Sequence, residues 1–149
     1  MIISMEERNN QLFVDSNYFI ALFNERDTLA QKARSISEEL DIRPTTLVIS
    51  SLVFLEIVTI TSMRAGRKIA KEAGASLLSR QDIRVIHVDE AIQNEAWNIF
   101  QETEEKNISF VDCSIIAAMK AEDISTLLTF DRADFTALQK QYRFSLYKI

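Results

Sequence analysis

Short apolar segments alternate with longer amphipathic segments along this chain, a pattern typical of α/β proteins. Five of the short segments are rich in β-branched or aromatic residues and are predicted to form strands. The predicted strands cover 11–14, 46–49, 83–88, 126–129 and 144–147. Strands that alternate with helices favour right-handed crossovers, so we predict a three-layer α/β/α sandwich around a mainly parallel sheet of about five strands, with 144–147 at one edge.

The segments between these strands carry helical periodicity. The predicted helical regions cover 18–36, 52–63, 68–78, 89–106, 111–121 and 134–140. Ser50 and Ser51 are expected to cap a largely buried helix over 52–63, and Asp89 is expected to open the helix over 89–106. The aromatic side chains of Phe13, Trp97, Phe100 and Phe110 are all expected to pack in the core.

Composition narrows the class of protein. The chain has 149 residues, 47% of them hydrophobic and 26% charged, which is typical of one globular domain over 1–149. The single cysteine, Cys113, and the single histidine, His87, exclude an internal disulfide and a zinc site. We interpret both as structural residues. Gly66 and Gly74 match no glycine-rich phosphate loop.

The net charge of −5 excludes a strongly basic nucleic-acid coat. Any contact with RNA or DNA would therefore have to be local and assisted by a metal ion. The polar lead-in 1–10 becomes charged before an apolar signal core forms, and the most apolar stretch, 47–60, is too short to span a bilayer and contains Glu56. We expect a cytoplasmic protein.

Acidic residues mark one edge of the predicted sheet. Asp15 ends the first strand, Asp131 follows the fourth, and Asp112 opens the helix that precedes the fourth strand. Glu56 lies in the helix after the second strand. Because ligands of open α/β sheets bind beyond the carboxyl ends of the strands, we expect these four carboxylates to converge there. Asp134, three residues after Asp131, is a further candidate.

Each aspartate also has a structural explanation, because aspartate is a common N-cap residue. Glu56 is different, since it lies inside a helix among apolar neighbours and no lysine or arginine occurs between residues 44 and 63. A buried glutamate needs a partner, which must come from elsewhere in the fold. If the carboxylates converge, a divalent cation offsets their repulsion, and all-oxygen ligands favour Mg²⁺ or Mn²⁺. Phosphodiester hydrolysis is the expected reaction class.

Several motifs resemble the PIN-domain family across residues 12–147. The segments are FVDSNYFIAL, VFLEIVTI and SFVDCSIIAAMKAEDISTLLTFDRADF. They contain a strand ending in Asp-x-Asn, a glutamate inside a helix, an aspartate that opens an alanine-rich helix, and a strand ending in Thr-x-Asp with a nearby Asp-Phe. In this chain the matching residues are Asp15 with Asn17, Glu56, Asp112, Thr129 with Asp131, and Asp134 with Phe135.

The resemblance implies a metal-dependent ribonuclease, most often a VapC-type toxin that forms a homodimer and is inhibited by an antitoxin. It implies that Mg²⁺ or Mn²⁺ is held by Asp15, Glu56, Asp112 and Asp131, with Asp134 as a fifth candidate. Asn17 and Thr129 would support these ligands, and Ser16 and Ser114 are weaker candidates. The implied reaction is attack of a metal-bound water on an RNA phosphate, which leaves a 5′-phosphate and a 3′-hydroxyl.

Four basic residues are candidates for substrate binding. Arg64, Arg67, Lys68 and Lys71 share one helix face if the helix continues through Gly66. The alternative is an ordinary solvated face. The apolar length of the helix over 52–63 also suggests a dimer interface.

Two other classes of α/β protein with acidic sites do not fit these residues. A response-regulator receiver needs a lysine where Asp131 and Arg132 occur, and a haloacid-dehalogenase phosphatase needs a second acid where Asn17 occurs. Two alternatives to a toxin stay open at this stage. One is a housekeeping RNA-processing nuclease, and the other is a non-catalytic module that binds RNA or protein.

Overall fold

The computed structural model describes residues 10–149, which form a five-stranded, all-parallel sheet in the order β3-β2-β1-β4-β5. The strands are β1 (Gln11–Val14), β2 (Thr46–Ser50), β3 (Ile83–Ile86), β4 (Thr126–Leu128) and β5 (Ser145–Leu146). The predicted fold class and the edge position of the last strand are confirmed. Except for Asn10, the lead-in 1–10 lies outside the described residues, and the single domain over 1–149 stays a prediction.

Helices cover both faces of this sheet. They are α1 (Ser16–Phe23), α2 (Ala30–Ile42), α3 (Ser51–Ala65), α4 (Arg67–Ser79), α5 (Glu90–Glu102), α6 (Phe110–Glu122) and α7 (Arg132–Tyr142). The strand order moves one way from β1 to β3 and the opposite way from β4 to β5. With right-handed crossovers, α1–α4 therefore cover one face and α5–α7 cover the other.

The change of direction leaves a crevice at the carboxyl ends of β1 and β4. The two strands are paired, with Phe13 opposite Leu127 and Val14 opposite Leu128. The Asp15 amide extends this pairing by donating to the Leu128 carbonyl at 2.9 Å. Beyond this point the chain leaves β1 toward one helix layer and β4 toward the other. Such a topological switch point is where ligands of doubly wound sheets bind.

The core lies around the central strands, which are buried on both faces as expected for a parallel sheet. Phe13, Val48 and Leu127 are fully buried, which confirms the prediction for Phe13. Cys113 is also fully buried, and burial raises the pKa of its thiol to about 11. It is therefore a packed small residue, as predicted.

Two predicted helix boundaries are wrong. The region 18–36 is not one helix, because residues 24–29 separate α1 from α2. In that segment the Asn24 side chain accepts from the Arg26 amide at 3.2 Å, and the Asp27 side chain accepts from the Leu29 amide at 2.9 Å. Such local bonds compete with helical ones and end the helix. The helix opened by Asp89 ends at Glu102 rather than near residue 106.

The helix α3 begins as predicted but is less buried than predicted. Its N-cap is Ser50, whose hydroxyl accepts from the Val53 amide at 3.2 Å. However, Leu55 is 60% exposed and Met63 is 81% exposed, so only one face of the helix packs on the sheet. Within residues 10–149, no helix combines the length and the apolar character needed to cross a bilayer.

Two of the predicted core aromatics face solvent. Trp97 is 52% exposed and Phe100 is 39% exposed, because α5 packs through the stripe formed by Ile92, Ala96 and Ile99, and both aromatic residues lie outside that stripe. Phe110, the third, is only partly buried. The interpretation of His87 as a structural strand residue is also wrong, since it is exposed and follows the end of β3.

Candidate active site

Asp15 directly follows β1 at this switch point and is only 3% exposed. As the N-cap of α1, its Oδ1 accepts from the Ser16 amide at 2.7 Å, and its Oδ2 accepts from the Thr129 hydroxyl at 2.7 Å. Burial, together with the charges of Asp112 and Asp131, raises the pKa of this carboxyl to about 7, although the hydrogen bonds from Thr129 and Ser16 act to lower it. Asp15 is thus an acid held rigidly in an environment that opposes its negative charge.

Ser16 connects Asp15 to Glu56. Its hydroxyl donates to Oε2 of Glu56 at 2.6 Å and lies 3.5 Å from Oδ1 of Asp15. The expected partner of Glu56 therefore comes from another element, α1. That partner is a neutral hydroxyl rather than a basic side chain.

Thr129 and Asn17 tie the ends of β1 and β4 together. The Thr129 hydroxyl accepts from the Asp131 amide at 3.0 Å while donating to Asp15. The Asn17 amide nitrogen lies 3.4 Å from Asp15 Oδ2 and 3.3 Å from the Thr129 hydroxyl, and Asn17 Oδ1 accepts from the Phe130 amide at 3.1 Å. Both residues named as supporting ones thus contact the site.

Asp112 approaches from the first turn of α6. Its Oδ2 accepts from the Ser109 amide at 2.9 Å, while the Ser109 hydroxyl accepts from the Asp112 amide at 3.1 Å, which forms a capping box. Burial raises the pKa of Asp112, and the charges of Asp131 and Glu56 add to this against the bonds to Ser109. Oδ1 of Asp112 accepts no hydrogen bond from the described residues.

The two remaining acids lie at the start of α7. Asp131 is exposed, and its charge raises the pKa of both Asp15 and Asp112, so it faces the same crevice. Asp134 lies in the first turn of α7 and is partly buried. It is not among the groups that most affect the pKa of Asp15 or Asp112. Asp131 is therefore the better placed of the two.

The four basic residues do not share one helix face. Gly66 has a positive φ of 96°, ends α3 and precedes α4, so Arg64 lies on a different helix from Arg67, Lys68 and Lys71. Arg64 borders a cavity of about 710 Å³ beside the end of α1, whereas Arg67 and Lys71 border another of about 370 Å³. The prediction of a single basic stripe is wrong.

Two serines carry contacts that the sequence only partly indicated. Ser109, rather than Asp112, is the N-cap of α6, and the Ser-x-x-Asp spacing was the signal for it. Ser16 bridges two acids, a contact for which its place after Asp15 was the only indication. Ser114 makes no contact with the site, because its hydroxyl donates to the Val111 carbonyl at 2.6 Å.

The donor chemistry of the crevice fits a hard divalent cation. All candidate ligands are carboxylate oxygens, and no lysine or arginine is among the groups that most affect the pKa of Asp15 or Asp112. Across residues 10–149, no three histidine, cysteine, aspartate or glutamate side chains already form a metal-binding cluster. The acids therefore affect one another's charge across the crevice without being assembled as a coordination shell.

Residues 12–141 match the family model of the PIN domain. The chain belongs to the PIN-domain family. It is also similar to the 23S rRNA-specific endonuclease VapC20 of Mycobacterium tuberculosis, with 31% identity over 126 residues that cover 85% of this chain and 92% of that protein. The family resemblance stated from the motifs is confirmed.

Solved structures agree with the PIN-domain assignment. The crystal structure of Mycobacterium tuberculosis VapC20, described as a Sarcin-Ricin loop cleaving toxin, superposes with a TM-score of 0.76 at 27% identity over 85% of this chain and 94% of that one. VapBC2 from Rickettsia felis, bound to a promoter DNA fragment, gives a TM-score of 0.68 at 19% identity, and the match covers 93% of this chain and 99% of that one. A toxin–antitoxin complex from Klebsiella pneumoniae gives a TM-score of 0.62 at 18% identity, and the match covers 92% of this chain and 96% of that one. The last two show the fold alone.

Proposed function

We propose that this PIN-domain protein is a divalent-metal-dependent endoribonuclease that acts in the cytoplasm as the toxin of a toxin–antitoxin pair. The observation that carries the proposal is the buried Asp15, which lies near the charges of two further acids. Its pKa is raised to about 7, and no lysine or arginine is among the groups that most affect this pKa. Similarity to a protein named as a 23S rRNA-specific endonuclease supports RNA as the substrate class.

In this proposal Asp15, Glu56, Asp112 and Asp131 hold Mg²⁺ or Mn²⁺, with Asp134 as a fifth candidate. A cation held by these residues would offset the charge of the acids and would supply Lewis-acid chemistry to the phosphate and to water. Hydrolysis of the RNA strand leaves a 5′-phosphate and a 3′-hydroxyl.

The chain's own residues prepare the crevice for this chemistry. Thr129 and the Ser16 amide fix both oxygens of Asp15, and Asn17 braces Thr129. The Ser16 hydroxyl directs the Glu56 carboxylate toward the same crevice. Asp112 keeps one oxygen on its capping bond and the other, Oδ1, free to take a cation or a proton. Fixed acceptors of this kind need little rearrangement during the reaction.

Cleavage of RNA with and without divalent cations tests the proposal. Wild type should cleave single-stranded RNA with Mn²⁺ or Mg²⁺ and not with a chelator. Asp112→Asn keeps a side-chain acceptor for the capping box but removes the charge, and it should lower cleavage by about 100-fold or more.

Asp123→Asn is the matched control at the opposite end of α6. Asp123 is the C-cap residue in the left-handed conformation, which asparagine also adopts readily, so the same charge is lost without strain. This variant should cleave like wild type. Equal cleavage by wild type and Asp112→Asn, or cleavage that needs no divalent cation, would overturn the proposal.

The toxin role itself is tested in cells. Expression of the wild type should arrest growth, whereas expression of Asp112→Asn should not, and co-expression of the protein encoded next to the toxin gene should restore growth. A nuclease with a housekeeping role would leave growth unchanged.

We also propose a homodimer formed through the exposed apolar face of α3, with an antitoxin as a further partner. Leu55 and Met63 lie on this helix and expose most of their surface. Met63→Glu should convert a dimer into a monomer in light scattering, and Leu78→Glu, at an exposed apolar residue of α4, should not. A wild-type monomer would contradict the dimer.

The basic residues remain candidates for phosphate contacts in this proposal, although on two separate surfaces. Arg64 would act beside one cavity, and Arg67, Lys68 and Lys71 would act from α4. Replacing each with glutamine should weaken the salt dependence of RNA binding if it contacts a phosphate.

A further inference from the structure

Three aromatic rings form a cluster on the surface between α5 and α6. The ring of Trp97 lies 5.9 Å from that of Phe100 and 6.5 Å from that of Phe110, and the latter two rings are 6.0 Å apart. Trp97 and Phe100 are both exposed, so the apolar surface of the cluster remains available to a ligand.

This cluster and the candidate active site flank the same end of one helix. Phe110 is the first residue of α6 and Asp112 is the third, and residues two apart lie on opposite sides of a helix. An extended strand must therefore pass around the N-terminal end of α6 to reach both the rings and the acids.

The surroundings of Trp97 on α5 are polar but uncharged. Its exposed neighbours three and four residues away are Gln93, Asn94, Phe100 and Gln101. Three of these four carry amides, each of which offers both a hydrogen-bond donor and an acceptor. The combination of aromatic rings and amides matches the faces and edges of nucleobases.

The two glutamates of α5 closest to Trp97 are engaged on another side. Glu95 pairs with Lys120 of α6 at 3.0 Å, and Glu102 accepts from the Tyr142 hydroxyl of α7 at 3.0 Å. Their charges are thus directed at neighbouring helices rather than at the aromatic cluster.

We infer that Trp97, Phe100 and Phe110 form a stacking platform for unpaired bases of the RNA substrate, which the amides of α5 help to orient. The inference rests on the proposed ribonuclease function and adds a recognition site to it. The net charge of the chain is −5, and base stacking adds binding free energy beyond the phosphate contacts that its few local basic residues can make.

The size of the cluster favours bases over a protein partner. Three partly exposed aromatic side chains offer about 200–300 Å² of surface. A stable protein interface needs about 800 Å² on each partner. The cluster is large enough for one or two bases and too small, alone, to hold a folded protein.

Fluorescence tests the platform directly, because Trp97 is the only tryptophan. With a chelator to prevent cleavage, a mixed-sequence single-stranded oligoribonucleotide should quench the emission of Trp97 in a saturable way. The same strand annealed to its complement should quench less, and inorganic polyphosphate, which has phosphates but no bases, should not quench.

Kinetics then separate stacking from a structural role. Trp97→Ala should raise KM for single-stranded RNA by about 5- to 100-fold and leave kcat close to wild type. Trp97→Phe, which keeps a ring, should recover most of the affinity. Leu78→Ala, at an exposed apolar residue of α4, serves as the control and should change neither constant.

The outcomes distinguish this inference from the proposed function. An unchanged KM in Trp97→Ala, or RNA binding without quenching, overturns the platform while metal-dependent cleavage stands. Quenching by single-stranded RNA in a protein that cleaves no RNA with either Mn²⁺ or Mg²⁺ supports the platform and overturns the nuclease. A Trp97→Ala variant that changes only the oligomeric mass would identify a protein interface and also overturn the inference.

Discussion

The amino and carboxyl edges of the sheet differ in whether their acidic side chains are solvated or buried. At the amino edge, a cavity of about 500 Å³ is bordered by Glu39, Arg43 and Tyr147, and the exposed Glu39 accepts from the Tyr147 hydroxyl at 2.8 Å. At the carboxyl edge, Asp15 is buried beside Asp112 and is held only by neutral donors. The edge that we propose to be functional is therefore marked by buried acids rather than by cavity volume.

Topology explains why the charges collect at one edge. In a parallel sheet every strand ends at the same edge, so residues that follow β1 and β4 meet there. At the switch point the two chains then diverge, which leaves the ends of both strands uncovered. The amino edge has no such divergence between these strands, and its polar groups remain solvated.

The largest effect should come from Asp15→Asn, which ought to gain stability while losing activity. The pKa of Asp15 rises from 3.8 in the unfolded chain to about 7 in the folded one, so the folded state holds the proton more tightly. This stabilisation is complete below about pH 4 and is lost as pH rises through 7. Asparagine does not ionise, so the variant does not lose this stability as the pH rises. At pH 8 without metal, the free energy of unfolding of Asp15→Asn should therefore exceed that of wild type by up to about 4 kcal/mol.

Urea unfolding between pH 4 and pH 8 measures this difference, with Glu39→Gln at the amino edge as the matched control. Glu39→Gln should follow the wild-type curve and should cleave RNA normally, whereas Asp15→Asn should cleave at least about 100-fold less. An Asp15→Asn variant that is less stable than wild type at pH 8 would contradict the charge imbalance at the carboxyl edge.

A smaller effect is expected from Ser16→Ala, which removes the hydroxyl that directs Glu56. The lost bond is worth about 1 kcal/mol, so metal-dependent cleavage should fall by about 5- to 10-fold. Ser114→Ala is the control, since that hydroxyl bonds only within α6. Initial rates at saturating RNA and varied Mn²⁺ measure the change. Equal rates for both variants would show that the bridge between Asp15 and Glu56 is dispensable.

The smallest effect should follow Tyr147→Phe at the amino edge. The change removes the bond to Glu39, whose exposed carboxylate is then solvated by water, so unfolding free energy should drop by about 1 kcal/mol or less. Thermal unfolding checks this value, and RNA cleavage should remain at the wild-type rate. Loss of cleavage would place function at the amino edge and reverse the comparison.

The acids of the carboxyl edge could be predicted because their position depends on order along the chain. Asp15 and Asp131 follow strands, and the parallel topology alone brings them to one edge. The hydrogen bond from Ser16 to Glu56 could not be predicted, because it depends on how α1 packs against α3 and on the rotamers chosen there. Backbone conformation also decided where the four basic residues lie, since Gly66 has a positive φ and separates them onto two helices.

The aromatic side chains show how far residue type alone predicts burial. Hydrophobicity suggested that Trp97 belongs to the core, but the helical period of α5 already places it outside the buried stripe of Ile92, Ala96 and Ile99. The sequence therefore held the signal for its exposure, and the error came from treating a large aromatic residue as a core residue by type. The burial of α3 was overestimated in the same way from Leu55 and Met63.

Anomalous scattering from crystals grown with Mn²⁺ tests the central claim most directly. Our account predicts one or more manganese peaks in the crevice, within ligating distance of Asp15 and Asp112, that disappear in the Asp15→Asn variant. Manganese bound at the amino edge, or an empty crevice in crystals of a protein that still cleaves RNA with Mn²⁺, would contradict it.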